Sequence, residues 1–159
     1  MTRTSQKARI NEINRQLVLM SSLVEKQIYL SMLALRNADV KSAEEIIKDD
    51  DKVDELQKSI EEECIKFIAT EQPLAKDLRN VYALSTIAME LERVGDYSVN
   101  IAMETIKIDN EEHITGMVGI PKMKSVCLNM LNAAKNALDS NETKLAYDAA
   151  LEDNIVDDL

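Results

Sequence analysis

Residues 17–56, LVLMSSLVEKQIYLSMLALRNADVKSAEEIIKDDDKVDEL, and residues 120–159, IPKMKSVCLNMLNAAKNALDSNETKLAYDAALEDNIVDDL, decide the fold between them. Laid at an offset of 103 residues they share ten of forty positions: Met20/Met123, Ser22/Ser125, Ala34/Ala137, Leu35/Leu138, Lys41/Lys144, Ala43/Ala146, Asp50/Asp153, Val53/Val156, Asp54/Asp157 and Leu56/Leu159. Internal similarity on this scale marks one structural unit copied along the chain. Within each copy the apolar residues recur at three- and four-residue spacing, which lines them along one face of a helix.

Outward from that stretch the helical period continues. Ile10, Ile13, Leu17, Met20 and Val24 form the stripe of a first helix ending near Asn37. Asp39 is placed to cap a second, whose stripe runs Ala43, Ile46, Asp50, Val53, Ile60, Cys64 and Phe67. Pro73 interrupts the pattern, and a third helix follows with Leu84, Ile87, Leu91, Val94 and Ile101. Pro121 suits the first turn of a fourth, where its missing N–H is no loss, and a fifth begins near Glu142. The expected class is all-α. A first three-helix unit covers 1–110, a linker 111–120, and 121–159 holds the first two helices of a second unit. That unit stops about 52 residues short of completing the duplication. Such a helical hairpin leaves an apolar side uncovered, so 121–159 is expected to pack on the first bundle or on another chain.

Composition agrees. Of 159 residues 45% are hydrophobic and 30% charged, enough to bury a core. Three Gly, two Pro and 3% aromatic residues supply too few turns and aromatics for an all-β fold. The net charge of −10 argues against nucleic acid as a partner and favours cations or basic surfaces. The charge is localised: 44–63 hold ten acids against three lysines, and 142–159 six against one. Cys64 and Cys127 are far apart, which suggests neither a disulfide framework nor a zinc knuckle and fits a reducing cytoplasm. No stretch approaches the roughly 18 uncharged residues of a membrane span, so a soluble, unprocessed chain without membrane insertion is expected.

The candidate site is a set of acids. Asp50 and Asp54 share one helical face, as do Glu92 and Asp96. In antiparallel neighbours turning near residue 73, Asp54 falls level with Glu92 and Asp50 with Asp96, giving four carboxylates at one height. Asp50 also lies on the apolar stripe of its helix, where a carboxylate is costly unless paired or bound to a cation. Gly95 beside the second pair suggests close approach of some other group to the backbone. Oxygen ligands suit magnesium, calcium or manganese, and iron where several carboxylates bridge it. The competing reading is a solvated face partnered by Arg79, Arg93 and lysines. His113 stands in a polar loop, no Glu-x-x-His occurs, and neither a nucleophile triad nor a phosphate-cradling glycine loop can be assembled. An enzyme is therefore not expected.

Three further segments narrow the reading. Gln72-Pro73-Leu74-Ala75-Lys76-Asp77-Leu78-Arg79, then Leu91-Glu92-Arg93-Val94-Gly95-Asp96, then Asn100-Ile101-Ala102, resemble the PhoU family of phosphate-signalling regulators. Asp50-x-x-x-Asp54 and its copy Asp153-x-x-x-Asp157 strengthen the resemblance. It implies two three-helix bundles in tandem, the second incomplete here, in a cytoplasmic and commonly dimeric protein that represses the phosphate-starvation response. The partners it implies are a phosphate-specific ABC transporter and a sensor histidine kinase. It also implies metal binding at Asp50, Asp54, Glu92, Asp96, Asp153 and Asp157, with iron, zinc, manganese or magnesium as candidates. The second unit lacks the helix that would bring its own Glu-x-x-x-Asp pair, which leaves a second site incomplete. The function expected is a metal-binding adaptor in which Arg79 and Arg93 hold the carboxylates when no metal is bound. A metal-dependent phosphoester-processing enzyme or metal store, and a purely structural helical module, are the alternatives.

Overall fold

The computed structural model describes residues 3–108, 119–140 and 142–159; His113 and most of the expected 111–120 linker lie outside them. Seven helices and no strand occur among the described residues: α1 Arg3–Asn37, α2 Val40–Asp49, α3 Asp51–Glu71, α4 Ala75–Lys107, α5 Ile120–Ser140, α6 Thr143–Leu151 and α7 Asp153–Asp157. α1, α2/α3 and α4 pack mutually as one bundle, and α5 lies along α1 with α6 and α7 folded back on it.

The stripes read from sequence form the core. Ile10, Ile13, Leu17, Met20 and Val24 of α1 are buried against Val53, Ile60, Cys64 and Phe67 of α3 and Val81, Leu84, Ala88 and Leu91 of α4. A smaller cluster of Ala34, Ala43, Ile46 and Ala102 closes the other end. On α4 the expected stripe is corrected: Ile87 is exposed, Val94 and Ile101 are half-buried, and the buried line runs Val81, Leu84, Ala88, Leu91, Gly95, Ser98, Ala102 and Thr105. Small residues take this line because three helices crowd the same axis there.

Turn chemistry sets the joints. Asp39 caps α2 as expected, its carboxylate accepting from Ser42 N at 3.0 Å. Ala38 and Gln72, both in the left-handed region (φ 50° and 46°), end α1 and α3. Arg9 fixes the second of these corners, donating to Glu71 Oε1 at 3.0 Å and lying over the Phe67 ring. The expected single second helix is in fact two, divided at Asp50. Asp50 keeps α-helical angles (φ −62°, ψ −33°), so the axis runs on, but its carbonyl accepts from both Val53 N (2.8 Å) and Asp54 N (3.2 Å), tightening the turn.

The duplication is visible as geometry. α5 ends at Ser140 and α6 starts at Thr143, each 103 residues after the matching boundary in α1 and α2. Ala137 and Ala149, the buried residues of α5 and α6, are the counterparts of the buried Ala34 and Ile46. The second unit docks on the first through Glu25, which accepts from Asn132 Nδ2 at 2.6 Å and Lys135 Nζ at 3.0 Å. Beside this clamp, α1, α4, α5 and α6 enclose an open groove of about 730 Å³, lined in part by Leu84, Ile87, Leu131 and Leu138. Among the described residues one helix, α1, is long and apolar enough to cross a membrane, with a mean hydropathy of 1.3; its apolar stripe is spent on the core.

Candidate functional site

Three helices meet at Asp50. From α1, Gln27 Nε2 donates to Asp50 Oδ1 at 2.9 Å. From α4, Gly95 faces both: a Cβ there would stand 3.2 Å from Gln27 Oε1, 3.5 Å from Val53 Cγ1 and 3.6 Å from Asp50 Oδ1. The glycine in the middle of a 33-residue helix is thereby explained. It forgoes about 1 kcal/mol of helix propensity relative to alanine, and the amide and carboxylate seat against its bare backbone.

Asp54 projects from the first turn of α3, Glu92 and Asp96 from the middle of α4. Burial raises the Asp50 carboxyl above the ordinary carboxylate range; the Gln27 hydrogen bond opposes this, and the negative charges of Asp54, Asp96 and Asp51 add to it. Glu92 is raised likewise, by burial first and then by Asp96, Asp54 and Asp50. Asp50 thus senses Asp54 and Asp96, and Glu92 senses Asp96, Asp54 and Asp50, so the four acids lie within electrostatic range of one another. In the orientations present, no three acidic, histidine or cysteine side chains among the described residues converge closely enough to hold one ion. What stands there is a cluster of mutually repelling carboxylates.

Neither arginine forms an ion pair with the four acids among the described residues, although the charge of Arg93 opposes the rise at Glu92. Arg93 turns outward to Glu90, 2.8 Å away, and Arg79 is exposed near the start of α4 with no ion pair to the four acids among the described residues. The expected holding role for Arg79 and Arg93 is therefore withdrawn: positions one residue from a motif acid, or far up the helix, point away from the face the acids share. Asp153 and Asp157 are not brought to the cluster either. They sit exposed on α7, which packs on α5 and α6, near the half-buried Cys127 whose thiol is pushed up by burial and by Asp153. Both cysteines are free thiols, and burial lifts that of Cys64 to about 11.

Gln27 was not among the residues read from sequence. Its signal was present: the α1 stripe, continued past Val24 by steps of three and four, reaches Gln27, Ser31 and Ala34, all buried. A long amide on a core face is the kind of residue that needs a polar partner there.

The PhoU domain family matches residues 17–105, from the α1 core stripe to the end of the α4 buried line, with all four acids inside it. The chain belongs to the PhoU family. It is 37% identical over its whole length to the phosphate-specific transport system accessory protein PhoU homolog of Clostridium acetobutylicum, spanning 73% of that protein. It is 35% identical over 94% of its length to the homolog of Aquifex aeolicus, spanning 68% of it. The crystal structure of PhoU from Pseudomonas aeruginosa superposes with a TM-score of 0.86 at 29% identity, covering 95% of this chain and 73% of that one. The PhoU regulatory protein of Streptococcus pneumoniae gives 0.86 at 25% identity, covering 96% and 72%. These superpositions carry the likeness past residue 105 into α5–α7.

Proposed function

We infer that this PhoU-family chain regulates phosphate uptake as an accessory protein of a phosphate-specific transport system, and that it does so by binding, without a catalytic step. The observation that carries the reading is the family match over 17–105 together with the long relatives named for that system. Its partners are a phosphate-specific ABC transporter and a sensor histidine kinase, met on the cytoplasmic side of the membrane, with a homodimer as the working form. A regulator of this kind transmits phosphate status only if each partner binds two states of it unequally. The joint at Asp50 is suited to hold such states, because α1, the α2/α3 junction and α4 all contribute to it.

The acid cluster is read as a cation site. The donor set fits: Asp50, Asp54, Glu92 and Asp96 offer only hard oxygens, two of them destabilised as anions, and Gly95 leaves space against α4. A bound divalent cation would supply positive charge that offsets the repulsion among the four. The residues do the rest: Gln27 holds Asp50 on the α1 side, and the helix faces fix which carboxylates are available.

The test is complementation. In a bacterium deleted for its own PhoU-type regulator, the chain is expected to restore repression of a phosphate-starvation reporter in high phosphate, and the Asp50→Asn/Asp96→Asn double variant to do so less well. A reporter that stays derepressed, with the native chain present and folded, overturns the regulatory reading. Elemental analysis of the purified native chain tests the cation site separately, and native chain free of metal after exposure to manganese, iron or zinc overturns that part.

A further inference from the structure

Gln27 is 7% exposed, and only half of its amide is used. Nε2 donates to Asp50 Oδ1, while Oε1 is buried and accepts no hydrogen bond among the described residues. A desolvated carbonyl oxygen without a donor costs free energy, and native structures rarely keep one without a reason. Flipping the amide gives no relief, because it would set Oε1 against the Asp50 carboxylate, oxygen to oxygen. Oε1 faces α4 at Gly95, and the groups that approach the same spot of that helix bring no donor. Gly95 has its N–H inside the α4 ladder, Val53 presents a methyl, and Asp50 presents a carboxylate oxygen. The orphaned atom lies against Gly95, the residue next in the chain to Asp96, on the side where Asp50 Oδ1 also stands, and an amide carbonyl beside carboxylates is the ordinary inner sphere of a hard divalent cation. We propose that Gln27 is itself a cation ligand, through Oε1, contributed by α1 in addition to the carboxylates of α2–α4. The assignment rests on the cation reading above and extends it to a third helix. It also makes the first unit unlike the second, since 103 residues on from Gln27 the chain has Met130, which has no such oxygen.

Two substitutions test this in the full chain after chelation, with Mn²⁺ added and free Mn²⁺ followed by its electron paramagnetic resonance signal. Gln27→Met keeps shape and burial but removes both polar atoms. It is expected to bind Mn²⁺ at least about tenfold more weakly than the native chain, with unchanged helical circular dichroism in the metal-free state. Gln27→Glu restores a ligand oxygen but removes the N–H donor to Asp50. It is expected to bind Mn²⁺ within about threefold of native, to melt lower without metal, and to recover on Mn²⁺ addition. Native-like binding by Gln27→Met overturns the proposal. So does loss of binding in Gln27→Glu as severe as in Gln27→Met, because Gln27 would then act only by positioning Asp50. A native chain that binds no Mn²⁺ defeats the cation reading and this assignment together, whereas native binding with an indifferent Gln27→Met defeats the assignment alone.

Discussion

At Gly95 two residue-scale effects oppose each other. Alanine in a helix interior is favoured over glycine by about 1 kcal/mol, yet its Cβ would arrive 3.2 Å from Gln27 Oε1, closer than such contacts normally settle. Gln27 is confined by burial and by its bond to Asp50, so it yields only by weakening that bond. Gly95→Ala is therefore expected to shift the melting temperature by no more than roughly 3 °C, the propensity gain and the contact strain being of similar size, while weakening Mn²⁺ binding more than it changes stability. Scanning calorimetry with and without Mn²⁺ checks both halves. Strong stabilisation with unaltered binding would show that the bare backbone at Gly95 has no role at the cluster. Gly95 and the acids were legible in the sequence because each breaks a local rule, a glycine in a helix interior and a carboxylate on an apolar stripe. Gln27 was not singled out, because an uncharged polar residue on a core face violates no rule until its partner, 23 positions away, is known.

At the scale of elements, periodicity gave the helices, and joints and docking needed the structure. The division at Asp50 comes from a carbonyl shared between two donors, which leaves no trace in the hydrophobic period. The shift of the α4 stripe from Ile87 to Ala88 has a packing cause: where helices crowd, the smaller residue faces inward and the larger outward. The contact between α5 and α1 depends on Glu25, more than a hundred residues from Asn132 and Lys135. Burial works to raise the Glu25 carboxyl, but the hydrogen bonds from Lys135 and Asn132 and the charge of Lys135 outweigh it and hold it below the ordinary value of 4.5. A carboxylate lowered on folding contributes stability that is complete above its unfolded pKa and disappears as pH falls through the folded one. Acidification below about 4.5 should thus loosen α5 from α1. Hydrogen exchange corrected for intrinsic rates is expected to show α5 losing protection on that descent ahead of α3 and α4. Glu25→Gln should already show reduced α5 protection at neutral pH and a flatter response to acid. An α5 whose protection is indifferent to both changes would mean that apolar contact alone docks it.

For the whole molecule, the duplication read at an offset of 103 residues reappears in matched helix ends and matched buried positions, yet the two units are not equally supported. The first closes its bundle with α4, which covers α1, α2 and α3 at once. The second, α5–α7, has counterparts of α1 to α3, and the difference shows in burial among the described residues. Ala137 and Ala149 are buried in α5 and α6, whereas Tyr147 is 73% exposed, Leu151 58% and Ile155 42%. Apolar area removed from water is the main source of folding free energy, at roughly 25 cal/mol per Å², so the unit of α5–α7, which buries two alanines among the described residues, draws little on a core of its own. Its stability is borrowed from the α1 surface through Glu25, Leu131 and Leu138. Local stability should then be graded along the chain, with 120–159 opening by a subglobal step that leaves the first bundle intact. In a urea titration of the chain followed by hydrogen exchange, peptides from α5–α7 are expected to lose protection at lower urea than peptides from α1, α3 and α4. Lys135→Ala should widen that gap by moving the first transition and not the second. A single transition shared by every helix would show instead that the two units fold as one cooperative body, with the groove between α1, α4, α5 and α6 closed in solution more tightly than its 730 Å³ suggests.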